Sequence, residues 1–214
     1  TWDALTGRRE TAAGWTRDGD GVRVPLSFEP FETRLIVLTP GAGAPAAPRL
    51  RPSGNAIAID GSWNLQIGGR VSHGALKPWA EYGMPSYVGG SRYRINFNLP
   101  EAWYEKRERI WLDLGKLNYS ARVQINGESL GTRAWGPFRF AAGKLLRPGE
   151  NELEVEVYNT PAPELAGDPA RLKEIEEKGW LKNSYIRIYQ KFDQEMVTSG
   201  LLGPVRLVEY EETP

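Results

Sequence analysis

The chain has 214 residues, 40% hydrophobic and 25% charged, with 27 Lys and Arg balanced by 27 Asp and Glu. That composition supports a packed core, and zero formal charge sets up no field to gather nucleic acid or an anionic membrane, so a neutral ligand is the expected partner. The absence of Cys and a single His exclude a disulfide framework, thiolate chemistry and the common His/Cys zinc sites.

Short alternating or apolar runs bounded by Gly, Pro and Asn predict strands almost throughout. The first are Val22–Phe28 and Arg34–Thr39. Asp18-Gly19-Asp20-Gly21 reads as a hairpin turn ahead of Val22. Its two carboxylates are also the nearest approach to a calcium loop, so a structural calcium ion is the one cofactor left open, with no other cofactor expected. Residues 1–40 hold too few strands to bury much alone and are expected to be the tail of a preceding β domain. Residues 41–52, within PGAGAPAAPRLRP, lack large apolar side chains apart from one Leu and predict an extended linker. Residues 53–214 are then the main domain.

Further strands are expected at Ser91–Asn98, Arg109–Leu114, Ala121–Ile125, Glu152–Tyr158 and Pro204–Val208. Gly89 and Gly90 shape a turn ahead of the first of these, since no parallel strand and helix flank them as a phosphate cradle needs. Asn126-Gly127 between Ile125 and Leu130 predicts a two-residue type I′ hairpin, where both central residues need positive φ. Pro148-Gly149-Glu150-Asn151 predicts another turn. One helix is signalled from Asp168 as cap, through Pro169 and the narrow stripe of Leu172 and Ile175, to Lys178 and Gly179, and reads as an insertion on the rim. Closely spaced strands without crossover helices predict an all-β fold, an antiparallel β-sandwich of jelly-roll type, with one short helical insertion and a small N-terminal β segment.

No catalytic constellation stands out. His73 has no G-x-S-x-G partner sequence and reads as a loop residue. A glycosidase needs two carboxyl groups facing each other across a sugar, and the barrel that usually carries them would not fit beside a sandwich in this length. The stronger candidates are aromatic residues placed among Pro and Gly. Trp79, Tyr82, Tyr87 and Trp135 could stack on the C–H face of a sugar ring while Glu81, Arg139 or Asn159 pair with its hydroxyls. The alternative for each ring is that it seals an end of the sandwich. Trp111, beside Leu112 and Leu114, could face either way.

From Trp79 to Val208 the chain resembles the galactose-binding-like, sugar-binding domain of family 2 glycoside hydrolases and the related C-terminal module of family 106 α-L-rhamnosidases. The matching stretches, in order, are PWAEYGMPSYVGGSRYRINFNLP, IWLDLGKLNYSARVQINGESLG, WGPFRF, LLRPGENELEVEVYNT and SGLLGPVRL. Thr160–Asp168 departs from the rhamnosidase-like pattern, which is shorter there. The resemblance implies that Leu112–Gly115, Ala121–Gly127, Trp135–Phe138 and Gly149–Val155 are mostly scaffold. It implies a non-catalytic carbohydrate-binding or substrate-positioning module of a multidomain bacterial enzyme, exported to the periplasm or beyond. Its partners would be an oligo- or polysaccharide and the parent's catalytic domain, with no nucleic acid and no membrane. Two other readings stand beside it: a purely structural sandwich bracing that catalytic domain, and direct catalysis with Glu81 as acid near Tyr82 and Tyr87. Thr1 is expected to be a cut in a longer chain.

Overall fold

Strand alternation dominates the computed structural model, which describes residues 1–2, 7, 9, 11–12, 14–26, 28, 33–39, 49–166, 170, 173–174, 177–178 and 197–213. In chain order the strands are β1 (Thr16–Asp18), β2 (Gly21–Arg23), β3 (Arg49–Ala58), β4 (Trp63–Ile67), β5 (Arg70–Gly74), β6 (Gly90–Leu99) and β7 (Ile110–Asp113). There follow β8 (Lys116–Asn118), β9 (Ser120–Ile125), β10 (Glu128–Arg133), β11 (Arg139–Ala141), β12 (Gly149–Tyr158), β13 (Gly200–Gly203) and β14 (Arg206–Thr213). A six-stranded antiparallel sheet runs β10-β9-β12-β6-β4-β5 and a four-stranded one runs β11-β7-β14-β3, with β13-β8 and β1-β2 as separate pairs.

The two main sheets share one core because every second residue points inward. Trp63, Leu65 and Ile67 of β4, Tyr93 and Ile95 of β6, Val123 and Ile125 of β9, and Leu153, Val155 and Val157 of β12 meet Ile110, Leu112, Phe140 and Leu207 of the other sheet in a single buried cluster. Burying a side chain of this size contributes about 1.5–3 kcal/mol, so the alternation pins the strand registers: a slip by one residue would turn each set to water. The expected all-β sandwich is borne out.

The Asn126-Gly127 turn holds as well, whereas Gly149, Glu150 and Asn151 of the second expected turn are the first residues of β12. Ile125 pairs with Glu128, leaving Asn126 and Gly127 as the two-residue turn, at φ 54° and 79°. Asn126 then ties this hairpin to the turn before β12. Its amide donates to Leu145 C=O and to Asn151 Oδ1, and its own oxygen accepts from Glu152 N–H. Asn151, buried, accepts from Arg147 N–H and donates to the carbonyls of Arg147 and Gly149. Thus the N-G and P-G-E-N motifs form one polar knot that closes the β9, β10 and β12 ends.

Some expectations differ from what is found. β3 begins at Arg49, three residues before the expected end of the linker at 52, because Arg49, Leu50, Arg51 and Pro52 pair with Thr213, Glu212, Glu211 and Tyr210 of β14. The strand expected over Val22–Phe28 is the short β2, closing on β1 through the Gly19-Asp20 turn. Within Arg34–Thr39, Leu35 forms a bridge with Trp2 among the described residues. The β4–β5 hairpin, turned by Gly68 and Gly69 at φ 54° and 82°, was not expected; its Trp63-to-Gly74 span is too polar on its outer face to stand out. The helix start and core of the expected insertion, Asp168, Pro169, Leu172, Ile175 and Gly179, lie outside the described residues. Ala162–Ala166 is helical, and Lys178 N–H donates to Glu174 C=O.

Candidate functional site

The aromatic residues expected in loops divide into buried and exposed ones. Trp79, Glu81 and Tyr82 share one 3-10 turn, Trp79–Tyr82, closed by Gly83 at φ 76°. Trp79 is 1% exposed. Its Nε1–H donates to Tyr93 Oη at 2.7 Å, which also accepts from Leu201 N–H at 3.1 Å. Burial pushes the Tyr93 phenol pKa up. Gly200 runs so close that a Cβ there would lie 2.9 Å from the indole. Trp79 thus packs inside the sandwich and leaves no exposed face for a sugar in this arrangement.

Tyr87 leans on Trp79 with ring centroids 5.4 Å apart and donates its hydroxyl to Gly90 C=O. Asn159 accepts from Gly89 N–H at 2.9 Å and donates to Tyr87 C=O at 2.7 Å and Ser199 Oγ at 3.0 Å. Its amide is committed to holding three chain segments together, so it is a brace and not a free hydrogen-bonding group. Tyr82 donates to Ala75 C=O, takes the Lys77 ammonium over its ring at 4.4 Å, and has its phenol pKa raised, first by burial. Glu81 is exposed on the same turn.

Trp135 and Arg139 sit elsewhere, in and after the connection from β10 to β11. Strands β10 and β5 are opposite edges of the six-stranded sheet, five inter-strand spacings or about 24 Å apart. Trp135 is 43% exposed. Arg139 Nε lies 3.4 Å from Asp113 Oδ2, which Arg206 also approaches at 3.2 Å, so its guanidinium forms part of an ion cluster on the four-stranded sheet. The seven expected residues therefore form no single site. Trp79, Tyr87 and Asn159 are brought together as packing; Tyr82 and Glu81 lie on the adjoining turn; Trp135 and Arg139 belong to the β10–β11 connection and to β11.

A groove of about 300 Å³ does open on the outer face of the six-stranded sheet, where β4, β6 and β12 end, and Tyr87 forms one wall. Its other lining side chains include Gln66, Arg92, Glu156 and Tyr158. Gln66, Arg92, Glu156 and Arg122 stand in one cross-strand row. Arg92 Nη2 donates to Glu156 Oε1 at 2.8 Å, and Arg122 Nη1 reaches Glu156 Oε2 at 3.3 Å. The Arg92 hydrogen bond is the main reason the Glu156 carboxyl is held below the usual carboxylate range. Arg92 and Arg94 also pair with Glu154.

Sequence reasoning missed these residues because it sought aromatics in loops. The available signal was the outward register of the strand Glu152–Tyr158, in which Glu152, Glu154 and Glu156 are followed by an aromatic residue on the same face. Among the described residues, no group of three His, Asp or Glu side chains gathers as a metal site, and Asp18 pairs with Arg23 at 2.8 Å. No helix among them is long and apolar enough to cross a membrane.

Comparison with known proteins bears out the resemblance read from the motifs. Residues 88–190 match the family model described as the glycosyl hydrolase 2 galactose-binding domain-like family. A curated protein of Formosa agariphila named "Putative beta-glucuronidase" is 27% identical over 210 residues, an alignment covering 82% of this chain and 18% of that protein. The solved rhamnosidase of Novosphingobium sp. PP1Y is 25% identical, with a TM-score of 0.54, over 85% of this chain and 16% of its own. A β-glucuronidase from Ruminococcus gnavus is 20% identical, with a TM-score of 0.44, over 49% of this chain and 22% of its own. The chain thus spans less than a fifth of the length of the first two relatives.

Proposed function

We propose that this chain is a non-catalytic carbohydrate-binding or substrate-positioning module of a multidomain glycoside hydrolase of bacterial origin. The observation that carries the reading is the match of residues 88–190 to the galactose-binding-like domain, reached independently of the motif order. Both long alignments end on proteins named for glycoside hydrolysis, and the rest of each protein lies outside the alignment. Bond cleavage belongs to that remainder. Glu81, the candidate acid, is exposed on a surface turn, whereas a raised-pKa acid needs a shielded setting and a second carboxyl opposite it. Export to the periplasm or beyond is part of the same proposal, since polysaccharide substrates lie outside the cytoplasm.

Affinity electrophoresis of the chain in gels containing plant or bacterial polysaccharides tests the proposal. Retardation by at least one glycan is expected; unchanged mobility in all of them overturns it. A second reading, that the module braces the parent's catalytic domain, is favoured by one observation. The N-terminal segment exposes Phe28 (54%), Leu35 (51%), Val37 (43%) and Leu38 (70%), a density of apolar side chains that points to a protein contact. Concentration-dependent self-association of the isolated chain, relieved by Leu38→Lys, is the expected sign of that surface.

A further inference from the structure

We infer that the groove on the outer face of β4, β6 and β12 is a subsite for one neutral pyranose ring, with Tyr158 as its stacking platform and Gln66, Arg92 and Glu156 as its hydroxyl partners. The inference rests on the carbohydrate-binding reading and gives it a location that none of the expected loop residues occupies.

Tyr158 is 44% exposed although its backbone lies in a central strand. It stands opposite Gly90, where a Cβ would lie only 2.7 Å from its ring carbon Cε1. The ring therefore rests against the Gly90 backbone, which holds its orientation, and Tyr158 lines the groove. A second contact of the same kind sets the wall: a Cβ on Gly89 would lie 2.6 Å from Tyr87 Oη, and one on Gly68 would lie 3.0 Å from the Tyr87 ring. Three glycines thus admit two tyrosine rings beside the groove. Because of strand alternation, the row of Gln66, Arg92 and Glu156 is the next outward row along the strands from Tyr158, about 6.7 Å away. That spacing lets a six-membered ring cover the tyrosine while its hydroxyls reach planar donors and acceptors.

The charge state selects the ligand. Arg92 and Arg122 already engage Glu156, and Arg92 also engages Glu154. A ligand carboxylate would have to displace one of these or face the ionised Glu156, whose pKa is held low. Hydroxyls can accept from or donate to the same groups without breaking any pair. On this ground the groove suits an uncharged sugar and not a uronate, although the curated relative is named as a putative beta-glucuronidase.

The test uses the 214-residue chain with ¹⁵N labelling, titrated with the methyl glycosides of glucose, galactose and rhamnose and with methyl glucuronide. At least one neutral glycoside should shift the amides of Gly68, Gly69, Gly90 and Tyr158 at millimolar concentration, with methyl glucuronide weaker by about tenfold or more. Tyr158→Ala should weaken the neutral glycoside by about tenfold while the protein stays folded, and Glu156→Gln should narrow the gap to the glucuronide. Trp135→Ala should leave binding as it was. Shifts centred on Trp135 or on Tyr82, or affinity indifferent to Tyr158→Ala, overturn the groove while leaving sugar binding intact. If no glycoside shifts any amide and no polysaccharide retards the chain, the carbohydrate reading fails and takes the groove with it.

Discussion

Replacing Tyr93 with Phe separates a structural Trp79 from a binding one. The ring itself would stay, edge-on to Trp63 at 6.4 Å between centroids, so no cavity opens. What disappears is one oxygen that accepts from Trp79 Nε1–H and Leu201 N–H, in a place where Tyr93 is fully buried. Each donor left without a partner costs about 1–3 kcal/mol. The mutant ring no longer buries a hydroxyl, which offsets about 1 kcal/mol of that sum, leaving a net loss of about 3 kcal/mol. For a domain of this size the melting temperature should fall by about 6–12 °C. Urea unfolding followed by tryptophan fluorescence measures it, with an unchanged m-value because the buried area is the same. A cycle with Trp79→Phe should show coupling of about 1–2 kcal/mol, while retardation in glycan gels stays as in the wild type. A Tyr93→Phe protein within about 0.5 kcal/mol of the parent would refute the two-donor account, and loss of glycan retardation in that variant at full stability would return Trp79 to the binding surface.

Further outcomes follow from the same contacts. Asn151→Ala should cost about 2–4 kcal/mol, since it strands Arg147 N–H and the Asn126 amide; equilibrium denaturation reads this, and the Gly127→Ala turn variant should lose only about 1–2 kcal/mol, from its positive φ. Gly143→Ala should abolish folding or nearly so, because its Cβ would lie 2.0 Å from Arg107 O; soluble yield and circular dichroism give the answer. Acid should destabilise the fold in part through Glu209, held below the usual carboxylate range first by the Asn55 hydrogen bond and then by Lys106, and through Glu156, held there first by Arg92. A carboxyl whose folded pKa is depressed adds stability that is complete above its unfolded value and disappears as pH falls through the folded one, so melting temperature should drop below about pH 5. Glu209→Gln should flatten that limb, and an unchanged slope would remove Glu209 from the account.

The parts of the fold legible in the sequence were those set by neighbours along the chain. Asn126-Gly127 needs only its own φ values to make a hairpin, and the alternation in β6, β9 and β12 needs only the two faces of a strand. The site was less legible because it depends on register between distant strands. Trp79 sits among Pro, Gly and charged residues, as a loop aromatic should, yet its fate is decided by Tyr93 and by the missing side chain of Gly200. Tyr158 ends a run of alternating Glu and Val and reads as one more strand residue until its partner is known to be Gly90. In both cases a glycine distant in sequence decides what the aromatic can do: at Gly200 it lets the indole pack into the interior, and at Gly90 it lets the phenol rest against the backbone at the surface. Exposure of these two rings is therefore set by glycines far away in sequence, and a search for binding residues in proteins of this kind should weigh aromatic–glycine pairs on outward registers above aromatic residues in loops.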